Sequence, residues 1–147
     1  MSQACERPLY QAGPEEIRQI LAATRTIAVV GLSDNPDKDS HRVADYLQRQ
    51  GYRIIPVNPN ATEILGEKCH ASLREVTETV DLVNIFRKPE AVPAIVAEAI
   101  AKGGVRAVWM QSGIVHNAAA QEALKAGLRV VMNRCIMVEH RNLPPDP

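Results

Sequence analysis

A chain of 147 residues is long enough to bury one core and too short for a separate catalytic domain, so we expect a single domain over residues 1–147. Its 17 basic and 17 acidic residues cancel, and this balance excludes an overall field that would attract nucleic acid or an anionic membrane. Hydrophobic residues make up 46% of the chain and aromatic residues 3%, an aliphatic composition that suits helices packed on a buried parallel sheet.

The first half of the chain predicts two helices and two strands in alternation. A helix begins at Pro14, because proline suits the first turn of a helix, and the β-branched run 26–30 then predicts a buried central strand that ends at Gly31. A second helix with Ser40 as its N-cap follows a polar loop and leads to a second strand over residues 53–57. Both strands are largely apolar, as expected of strands that are covered on two faces.

The second half predicts three more strands with two helices between them. Strands are expected at residues 81–86, 105–110 and 128–132. The connecting helices begin at Pro89 and at Asn117, which is expected to be an N-cap, and they end at glycines. Between residues 60 and 80 the pattern is irregular and predicts only a short edge strand within 66–70 and a short helix around 72–76.

This alternation predicts an α/β fold: a Rossmann-like, doubly wound parallel sheet with helices on both faces, in one domain, with residues 1–13 and 141–147 as irregular termini. Ligands of such sheets bind beyond the carboxyl ends of the strands, where the winding direction reverses, and the loop after the first strand lies at that point. We therefore expect the segments that follow four of the strands to share one edge of the sheet: residues 31–40, 57–59, 86–88 and 111–113.

The loop after the first strand is a candidate binding segment for a phosphate group. Gly31 allows the backbone to turn without a Cβ atom, and the helix that begins at Ser40 offers free N–H groups to an anion. Ser33, Lys38 and Arg42 add hydrogen-bond donors, although three nearby aspartates oppose an anion. The alternative interpretation is a solvated loop that leads to an ordinary N-cap.

Two missing features argue against NAD as the ligand. The segment Leu32-Ser33-Asp34 follows Gly31, where the G-x-G-x-x-G fingerprint places further glycines. The second strand ends in Val57-Asn58-Pro59, without the acid that would bind a ribose 2′-hydroxyl. An adenosine that carries a ribose phosphate meets no repulsion there, so coenzyme A (CoA) and NADP both remain open.

Two further segments are expected at the same edge of the sheet. Arg87 and Lys88 follow the third strand, and the guanidinium of Arg87 can bind a phosphate through two hydrogen bonds. Gln111-Ser112-Gly113 follows the next strand with a polar, flexible backbone that suits amide groups of a ligand, while Trp109 is assigned to the core. Both segments also have an ordinary interpretation, as exposed connections between a strand and a helix.

The cysteine pattern favours free thiols over disulfides or metal ligands. Cys5, Cys69 and Cys135 are an odd number with wide spacings, and Cys69 and His70, as neighbours in an extended segment, point to opposite sides. We therefore predict no metal site. The first 13 residues lack an apolar stretch of the signal-peptide type, and no window approaches the ~20 apolar residues of a membrane span, so a cytoplasmic location is expected.

The chain resembles, over nearly its full length, the small bacterial CoA-binding proteins of the YccU type. The resemblance rests on the segments 27–33, 40–43, 51–59, 83–87, 109–113 and 130–135. That family is in turn similar to the N-terminal CoA-binding domain of the succinyl-CoA synthetase α subunit, which implies a Rossmann-like sheet with CoA across the carboxyl ends of its strands. The catalytic histidine of the synthetase belongs to a second domain, so the resemblance implies no catalytic residue here.

The resemblance also implies a set of CoA-binding residues. These are Gly31, Leu32, Ser33, Ser40, Arg42, Val57, Asn58, Phe86, Arg87, Gln111, Ser112 and Gly113, to which we add Lys38 and Pro59 from the same loops and Asn133 from the loop after the last strand. Many family members carry Asp where this chain has Asn133, and the synthetase has an Asn-Cys pair in the corresponding loop, so an amide is compatible with this position. Cys135 is either an ordinary buried thiol or one that pairs with the sulfur of CoA.

The leading hypothesis is a CoA or acyl-CoA binding protein that serves as a sensor or carrier without turnover, since the 4 histidines are scattered and none stands with a nucleophile at motif spacing. One alternative is an NAD(P)-dependent oxidoreductase-like protein, for which the chain is short. Another is a structural or interaction protein that has lost its ligand. The expected partner is a small nucleotide, not nucleic acid or a membrane, and a homodimer or another protein partner stays open.

Overall fold

Alternating helices and strands make up most of residues 6–144, the part of the chain that the computed structural model describes. The strands are β1 (Thr26–Val30), β2 (Arg53–Val57), β3 (Glu63–Ile64), β4 (Glu67–Lys68), β5 (Leu82–Ile85), β6 (Ala107–Met110) and β7 (Arg129–Val131). The helices are α1 (Pro14–Ala23), α2 (Asp39–Arg49), α3 (Val92–Lys102), α4 (Asn117–Lys125) and α5 (Ile136–Arg141). Cys5 and the outer ends of the two predicted irregular termini lie outside the described residues.

Five strands form one parallel sheet in the order β2-β1-β5-β6-β7. β1 pairs with β2 on one side and with β5 on the other, so that Val30 lies opposite both Val57 and Ile85. The chain winds from β1 to β2 in one direction and from β5 to β7 in the other, which places the reversal between β1 and β5. The predicted doubly wound, Rossmann-like fold is therefore confirmed, and its switch point includes the loop after β1.

Two hydrophobic cores lie on opposite faces of the sheet. On one face, α1, α2 and α5 pack against strand residues that include Val29 and Trp109. On the other face, α3 and α4 pack against strand residues that include Val83 and Val108. Trp109 is fully buried, as its assignment to the core predicts. Because both faces are covered, the strand ends are held in a fixed relation at the carboxyl edge of the sheet.

Two predicted N-caps, Ser40 and Asn117, are wrong. α2 begins one residue before Ser40 with Lys38 as its N-cap, and the Ser40 hydroxyl accepts a hydrogen bond from the Ser33 N–H at 3.0 Å. α4 has His116 as its N-cap, whose ring nitrogen accepts a backbone N–H of the helix at 3.1 Å. In both places the predicted side chain contacts a different segment, which sequence pattern alone does not reveal.

Asn117 instead attaches the N-terminal segment to α4. Its Oδ1 accepts the Leu9 N–H at 2.8 Å. Tyr10 packs against both cores, and its hydroxyl donates to a carboxylate oxygen of Glu16 in α1 at 2.6 Å. Because α4 and α1 lie on opposite faces and α4 contacts β7, residues 6–12 pass from one face of the sheet to the other beside β7.

The irregular region after β2 covers the free edge of that strand. β3 and β4 form a short antiparallel hairpin, and a parallel bridge joins Val57 to His70. Arg53 of β2 forms an ion pair with Glu67 of β4 at 2.6 Å. The predicted short edge strand therefore corresponds to β4, and the predicted short helix is a single 3-10 turn at Leu73–Glu75.

The sequence pattern does not predict α5, whose last residue, Arg141, falls in the expected irregular tail. Its Ile136 is fully buried in the core that contains α1 and α2. A helix of 6 residues contains fewer than two turns, which is too short for its apolar spacing to show a helical period. The structure therefore adds one element to the predicted order, at the edge where the loops converge.

Candidate functional site

The loop after β1 turns at Gly31, where the backbone has a φ of 92°. A Cβ atom at this position would lie 2.4 Å from the carbonyl oxygen of Phe86, so only glycine allows the loops after β1 and β5 to approach this closely. The Gly31 N–H donates to the Val57 carbonyl at 3.0 Å, and the Phe86 N–H donates to the Val30 carbonyl at 2.8 Å. The ends of β2, β1 and β5 therefore meet at the switch point of the sheet.

Side chains of the first loop and of its neighbour hold the loop backbone in place. The Ser33 hydroxyl accepts the Asn35 N–H at 3.0 Å, while the Ser33 N–H is bound by Ser40. Asn58, directly after β2, donates from Nδ2 to the Leu32 carbonyl at 2.9 Å. The loop is thus shaped by its own hydrogen bonds, and three of the predicted polar residues contribute to that shape.

The basic side chains near this edge differ in how far their charge is neutralised. Arg42 forms an ion pair with Asp39 and donates to the Asp37 carbonyl at 2.8 Å. Arg87 and Lys38 are exposed, and neither forms an ion pair with another residue of the described part of the chain. Arg87 is therefore the more available of the two guanidinium groups for an incoming anion.

Two amides arrange the loops that follow β6 and β7. Asn133 has a left-handed backbone with a φ of 60°, and its Oδ1 accepts the Gly113 N–H at 2.7 Å. The Gln111 side chain is 4% exposed, and its Oε1 accepts the N–H of Ile136, the first residue of α5, at 3.0 Å. The contact made by Asn133 needs only an acceptor oxygen, so an amide fulfils it as well as a carboxylate would.

A cavity of about 430 Å³ opens at this edge beside α2 and α5. The predicted residues that line it are Arg42, Phe86, Arg87, Gln111 and Ser112. Cys135, the N-cap of α5, and Met137 of α5 also line it. The sequence analysis left the role of Cys135 open, and it missed Met137 because α5 was not expected.

The remaining predicted residues lie in the loops around the cavity and are not part of its lining. They are Gly31, Leu32, Ser33, Lys38, Ser40, Val57, Asn58, Pro59, Gly113 and Asn133. Leu32 and Val57 are 0% and 3% exposed, so a contact of either residue with a ligand would use backbone atoms. The structure therefore separates residues that line the cavity from residues that shape its border.

A contact between a tyrosine and a histidine joins α5 to α2 beside the cavity. The Tyr46 hydroxyl lies 2.7 Å from Nδ1 of His140, and the Tyr52 ring packs edge-on against the same imidazole with centroids 5.8 Å apart. Burial lowers the pKa of His140. Because α5 carries Met137 and begins after Cys135, the contact between Tyr46 and His140 attaches one wall of the cavity to α2.

Comparison with known proteins identifies the family of this chain. Residues 25–141, which include every strand of the sheet, match the family model described as a CoA binding domain. The chain belongs to this CoA-binding domain family. The matched segment also includes every residue that lines the carboxyl-edge cavity, so the resemblance inferred from the sequence motifs is confirmed.

The chain is similar to proteins of its own size and to larger enzymes. It is 45% identical over 125 residues to YneT of Bacillus subtilis (strain 168), over 85% of this chain and 92% of the relative. A hypothetical protein from Pyrococcus horikoshii OT3 is 38% identical, with a TM-score of 0.87, over 97% of this chain and 99% of that one. Acetate–CoA ligase (ADP-forming) II of Archaeoglobus fulgidus is 35% identical over 91 residues, which are 60% of this chain and 14% of the ligase.

A larger cavity, of about 580 Å³, lies at the opposite edge of the sheet, between α1 and the starts of β6 and β7. Arg106 and Arg129 line it, and Arg129 donates to the Gln19 side chain at 3.0 Å. Thr24, at the C-terminal end of α1, lines it as well, and the partial negative charge of a helix C-terminus disfavours an anion. Since ligands of open parallel sheets bind at the carboxyl edge, we assign the smaller cavity as the candidate site.

The described residues, 6–144, contain free thiols and no cluster of metal ligands. Cys69 and Cys135 are both free, as their spacing predicts. Within residues 6–144, no three His, Cys, Asp or Glu side chains are grouped so that they could hold a metal ion, and no helix is long and apolar enough to cross a membrane. The cytoplasmic location stays a prediction.

Proposed function

We propose that this chain binds CoA or an acyl-CoA at the carboxyl edge of its sheet and catalyses no reaction on it. The observation that carries the proposal is the unpaired Arg87 at the wall of a cavity at the switch point, next to a turn that only Gly31 permits. Membership of the CoA-binding domain family supports the class of ligand. Such a ligand combines anionic phosphates with a long neutral arm. We expect the phosphates to bind basic groups of the site and the arm to bind its neutral groups.

The phosphates of the ligand are expected at the first loop and at Arg87. α2 has 11 residues, and its first turn offers free N–H groups and a positive dipole end beside Arg87 and Arg42. Arg42 is paired with Asp39, so a phosphate competes with that carboxylate for its guanidinium. Arg87 has no such competitor and supplies the stronger contact.

The neutral arm of the ligand is expected inside the cavity. Phe86 offers an apolar surface there, while Gln111 and Ser112 offer neutral polar groups. Asn58 and Pro59, at the end of β2, border the adenosine end and carry no charge that would repel a ribose phosphate. The arrangement therefore suits CoA better than NAD, whose ribose requires an acid at the end of β2.

Binding without turnover is supported by the arrangement of nucleophiles and by the share of the ligase that the chain represents. In the described residues, no Ser hydroxyl and no Cys thiol is hydrogen-bonded to a histidine, the arrangement that activates such groups. The matched segment is 14% of the Archaeoglobus ligase, so the activity of that whole enzyme is not transferred to this chain.

Isothermal titration calorimetry of the full chain with CoA, acetyl-CoA, NAD and NADP tests the proposal. We expect CoA and acetyl-CoA to bind and NAD to give no heat of binding. Preferential binding of NADP or NAD would favour the oxidoreductase-like alternative. If none of the four nucleotides binds, the protein has lost its ligand and the proposal is wrong.

The variant Arg87→Ala tests the phosphate contact in the same titration. A hydrogen bond to a charged group contributes about 1.5–3 kcal/mol, so we expect the Kd for CoA to rise roughly 10- to 100-fold. Arg106→Ala is the matched control, because Arg106 is also exposed and free of ion pairs within the described residues but lies at the opposite edge of the sheet. Equal affinities of the two variants for CoA would remove Arg87 from the site.

A further inference from the structure

Gln111, directly after β6, is a buried amide that uses only one of its two polar ends. The residue is 4% exposed, and its Oε1 accepts the Ile136 N–H at 3.0 Å. Its Nε2 has no hydrogen-bond partner among residues 6–144. A buried donor without a partner is costly, because it has given up hydrogen bonds to water and gained none from the protein. This end of the amide is therefore available to a bound molecule.

The free end of the Gln111 amide borders the cavity at the carboxyl edge of the sheet. Gln111 is one of the residues that line this cavity. Within residues 6–144, the buried side-chain polar atoms that lack both a partner and any accessible surface belong to Asn84 alone. The Nε2 of Gln111 lacks a partner and is not one of these atoms, so it keeps accessible surface towards the cavity that the residue lines.

The bond to Ile136 decides which end of the amide faces the cavity. A backbone N–H is accepted by the oxygen of an amide and not by its nitrogen, so Oε1 is held towards α5 and Nε2 is left at the cavity wall. The Gln111 backbone is held as well, since its carbonyl accepts the Ile114 N–H at 2.9 Å. The donor is thus positioned before a ligand arrives, which lowers the ordering cost of binding.

The charged and uncharged parts of the cavity lining come from different strands. Its charged residues belong to α2 and to the loop after β5, and they are Asp39, Arg42 and Arg87. The residues that line it from the loops after β6 and β7 and from α5 are uncharged, and they are Gln111, Ser112, Ile114, Cys135 and Met137. β5 separates β6 from β1, so the uncharged part lies two strand spacings, roughly 10 Å, from the loop after β1.

A single N–H donor in an uncharged wall suits a neutral carbonyl oxygen. A phosphate is bound more strongly by the guanidinium group of Arg87 than by a neutral amide. A thiol or a methylene group placed against Gln111 would leave its Nε2 unpaired. The arm of CoA contains amide carbonyls, and an acyl-CoA adds a thioester carbonyl, so both offer the acceptor that this donor lacks.

We propose that the Nε2 of Gln111 donates a hydrogen bond to a carbonyl oxygen on the neutral arm of the bound ligand. The inference rests on the proposed function and specifies the group that the uncharged part of the cavity recognises. The carbonyl belongs to an amide of the arm or to the thioester of an acyl group. Because the same side chain holds the first residue of α5, the arm and this helix depend on one amide.

The variant Gln111→Met, which keeps the length of the side chain and removes the donor, tests the inference in the full chain. Calorimetry with acetyl-CoA is compared with calorimetry with 3′-phospho-ADP, the nucleotide that lacks the arm. We expect the Kd for acetyl-CoA to rise about tenfold, the loss of one hydrogen bond, and the Kd for 3′-phospho-ADP to stay unchanged. A change limited to the ligand with the arm is not expected from a purely structural role.

Gln19→Met is the matched control. Gln19 lines the cavity at the opposite edge of the sheet, and its Oε1 also accepts one N–H at 3.0 Å, from Arg129. This variant is expected to bind both ligands as the unchanged protein does.

Gln111→Glu is a second test, which also applies if Gln111→Met does not fold. It keeps an acceptor for the Ile136 N–H and, when ionised, has no donor. Its negative charge repels both ligands, so the ratio of the two Kd values is the quantity to compare. We expect acetyl-CoA to lose its advantage over 3′-phospho-ADP about tenfold in this variant as well.

S-ethyl-CoA, a thioether of similar size without the thioester carbonyl, distinguishes the two sources of the carbonyl. If an amide of the arm is the acceptor, Gln111→Met weakens the binding of S-ethyl-CoA as much as that of acetyl-CoA. If the thioester is the acceptor, the variant weakens the binding of acetyl-CoA alone.

An unchanged ratio of the Kd values for acetyl-CoA and 3′-phospho-ADP in both Gln111 variants overturns the inference. Equal affinity of the unchanged protein for these two ligands overturns it too, because the arm then contributes nothing. Failure of the unchanged protein to bind either ligand is a separate result, which overturns the proposed function itself.

Discussion

Gly31 meets two requirements at once, and both follow from its missing side chain. Its φ of 92° lies in the region that favours glycine, and its Cα approaches the backbone of Phe86 so closely that a Cβ would clash. Gly127, which follows α4, has a similar φ of 89° but has no atom within 4 Å of the place where a Cβ would be. The two glycines therefore share a positive φ and differ in the close approach to another segment.

We expect Gly31→Ala to lower the free energy of unfolding by about 2–4 kcal/mol, since strain at a positive φ is added to a steric clash. Gly127→Ala is expected to cost about 1 kcal/mol from the positive φ alone. Urea denaturation of the two variants measures the difference. Equal losses would show that the loops after β1 and β5 can separate without cost.

The roles of residues that depend on their own backbone or size could be predicted from the sequence. The roles of residues that depend on a distant partner could not. Gly31 and Trp109 were assigned correctly, because a missing Cβ and a large apolar ring have the same meaning in most contexts. Ser40 was assigned wrongly as an N-cap, because its hydroxyl binds the loop that precedes the helix. The sequence also did not predict that Asn84 is fully buried in β5 without a hydrogen-bond partner among the described residues, since a single amide within an apolar strand does not reveal whether it has a partner.

At the scale of elements, α5 is the part of the site that the sequence did not predict. It is too short to show a period, and its attachment to α2 depends on Tyr46 and His140, which are 94 residues apart in the chain. The five strands, in contrast, were predicted within two residues because apolar runs that end at glycine or polar loops are local signals. The convergence of four loops at one edge followed from the predicted topology. The position of α5 at the same edge depends instead on its tertiary contact with α2.

The attachment of α5 makes stability depend on pH through His140. Burial lowers the pKa of His140 in the folded protein, so the unfolded chain, with a pKa of about 6.5, takes up the proton first as the pH falls. The free energy of unfolding is therefore expected to decrease as the pH falls through about 6.5, until the pH lies below the folded-state pKa. Urea denaturation at pH 7.5 and at pH 5.5 measures this decrease.

The variant His140→Gln keeps a polar side chain beside Tyr46 and removes the titration, so its stability is expected to change less between the two pH values. The other histidines are present in both proteins, which makes the difference between them specific to His140. An identical pH dependence of the two proteins would contradict the role assigned to the imidazole.

At the scale of the whole molecule, the proposed ligand contacts the ends of most strands of the sheet, so binding should stabilise the entire fold. A ligand that binds only the folded state and is present at 100 times its Kd adds about 2.7 kcal/mol to the free energy of unfolding. For a chain of this size, 1 kcal/mol corresponds to roughly 2–4 °C in melting temperature, so CoA should raise the Tm by roughly 5–10 °C.

Thermal unfolding followed by circular dichroism measures this shift, with NAD at the same concentration as the control ligand. In Arg87→Ala the shift produced by the same concentration of CoA should be smaller. A shift with NAD as large as that with CoA would contradict the selectivity derived from the end of β2.

Coverage of the two outer strands has a consequence for association between copies of the chain. The β3–β4 hairpin lies along β2, and residues 6–12 cross from α4 to α1 beside β7. An exposed strand edge is a template on which another chain can add its own strand, and long chains of such additions lead to fibres. On the β2 side, the His70 N–H donates to the Pro56 carbonyl at 3.0 Å and the His70 carbonyl accepts the Asn58 N–H at 2.8 Å, so the carboxyl end of this outer strand already has a neighbour from the same chain. We therefore expect the outer strands to pair less readily with a strand of another chain, while the carboxyl ends of the strands stay accessible to a small ligand.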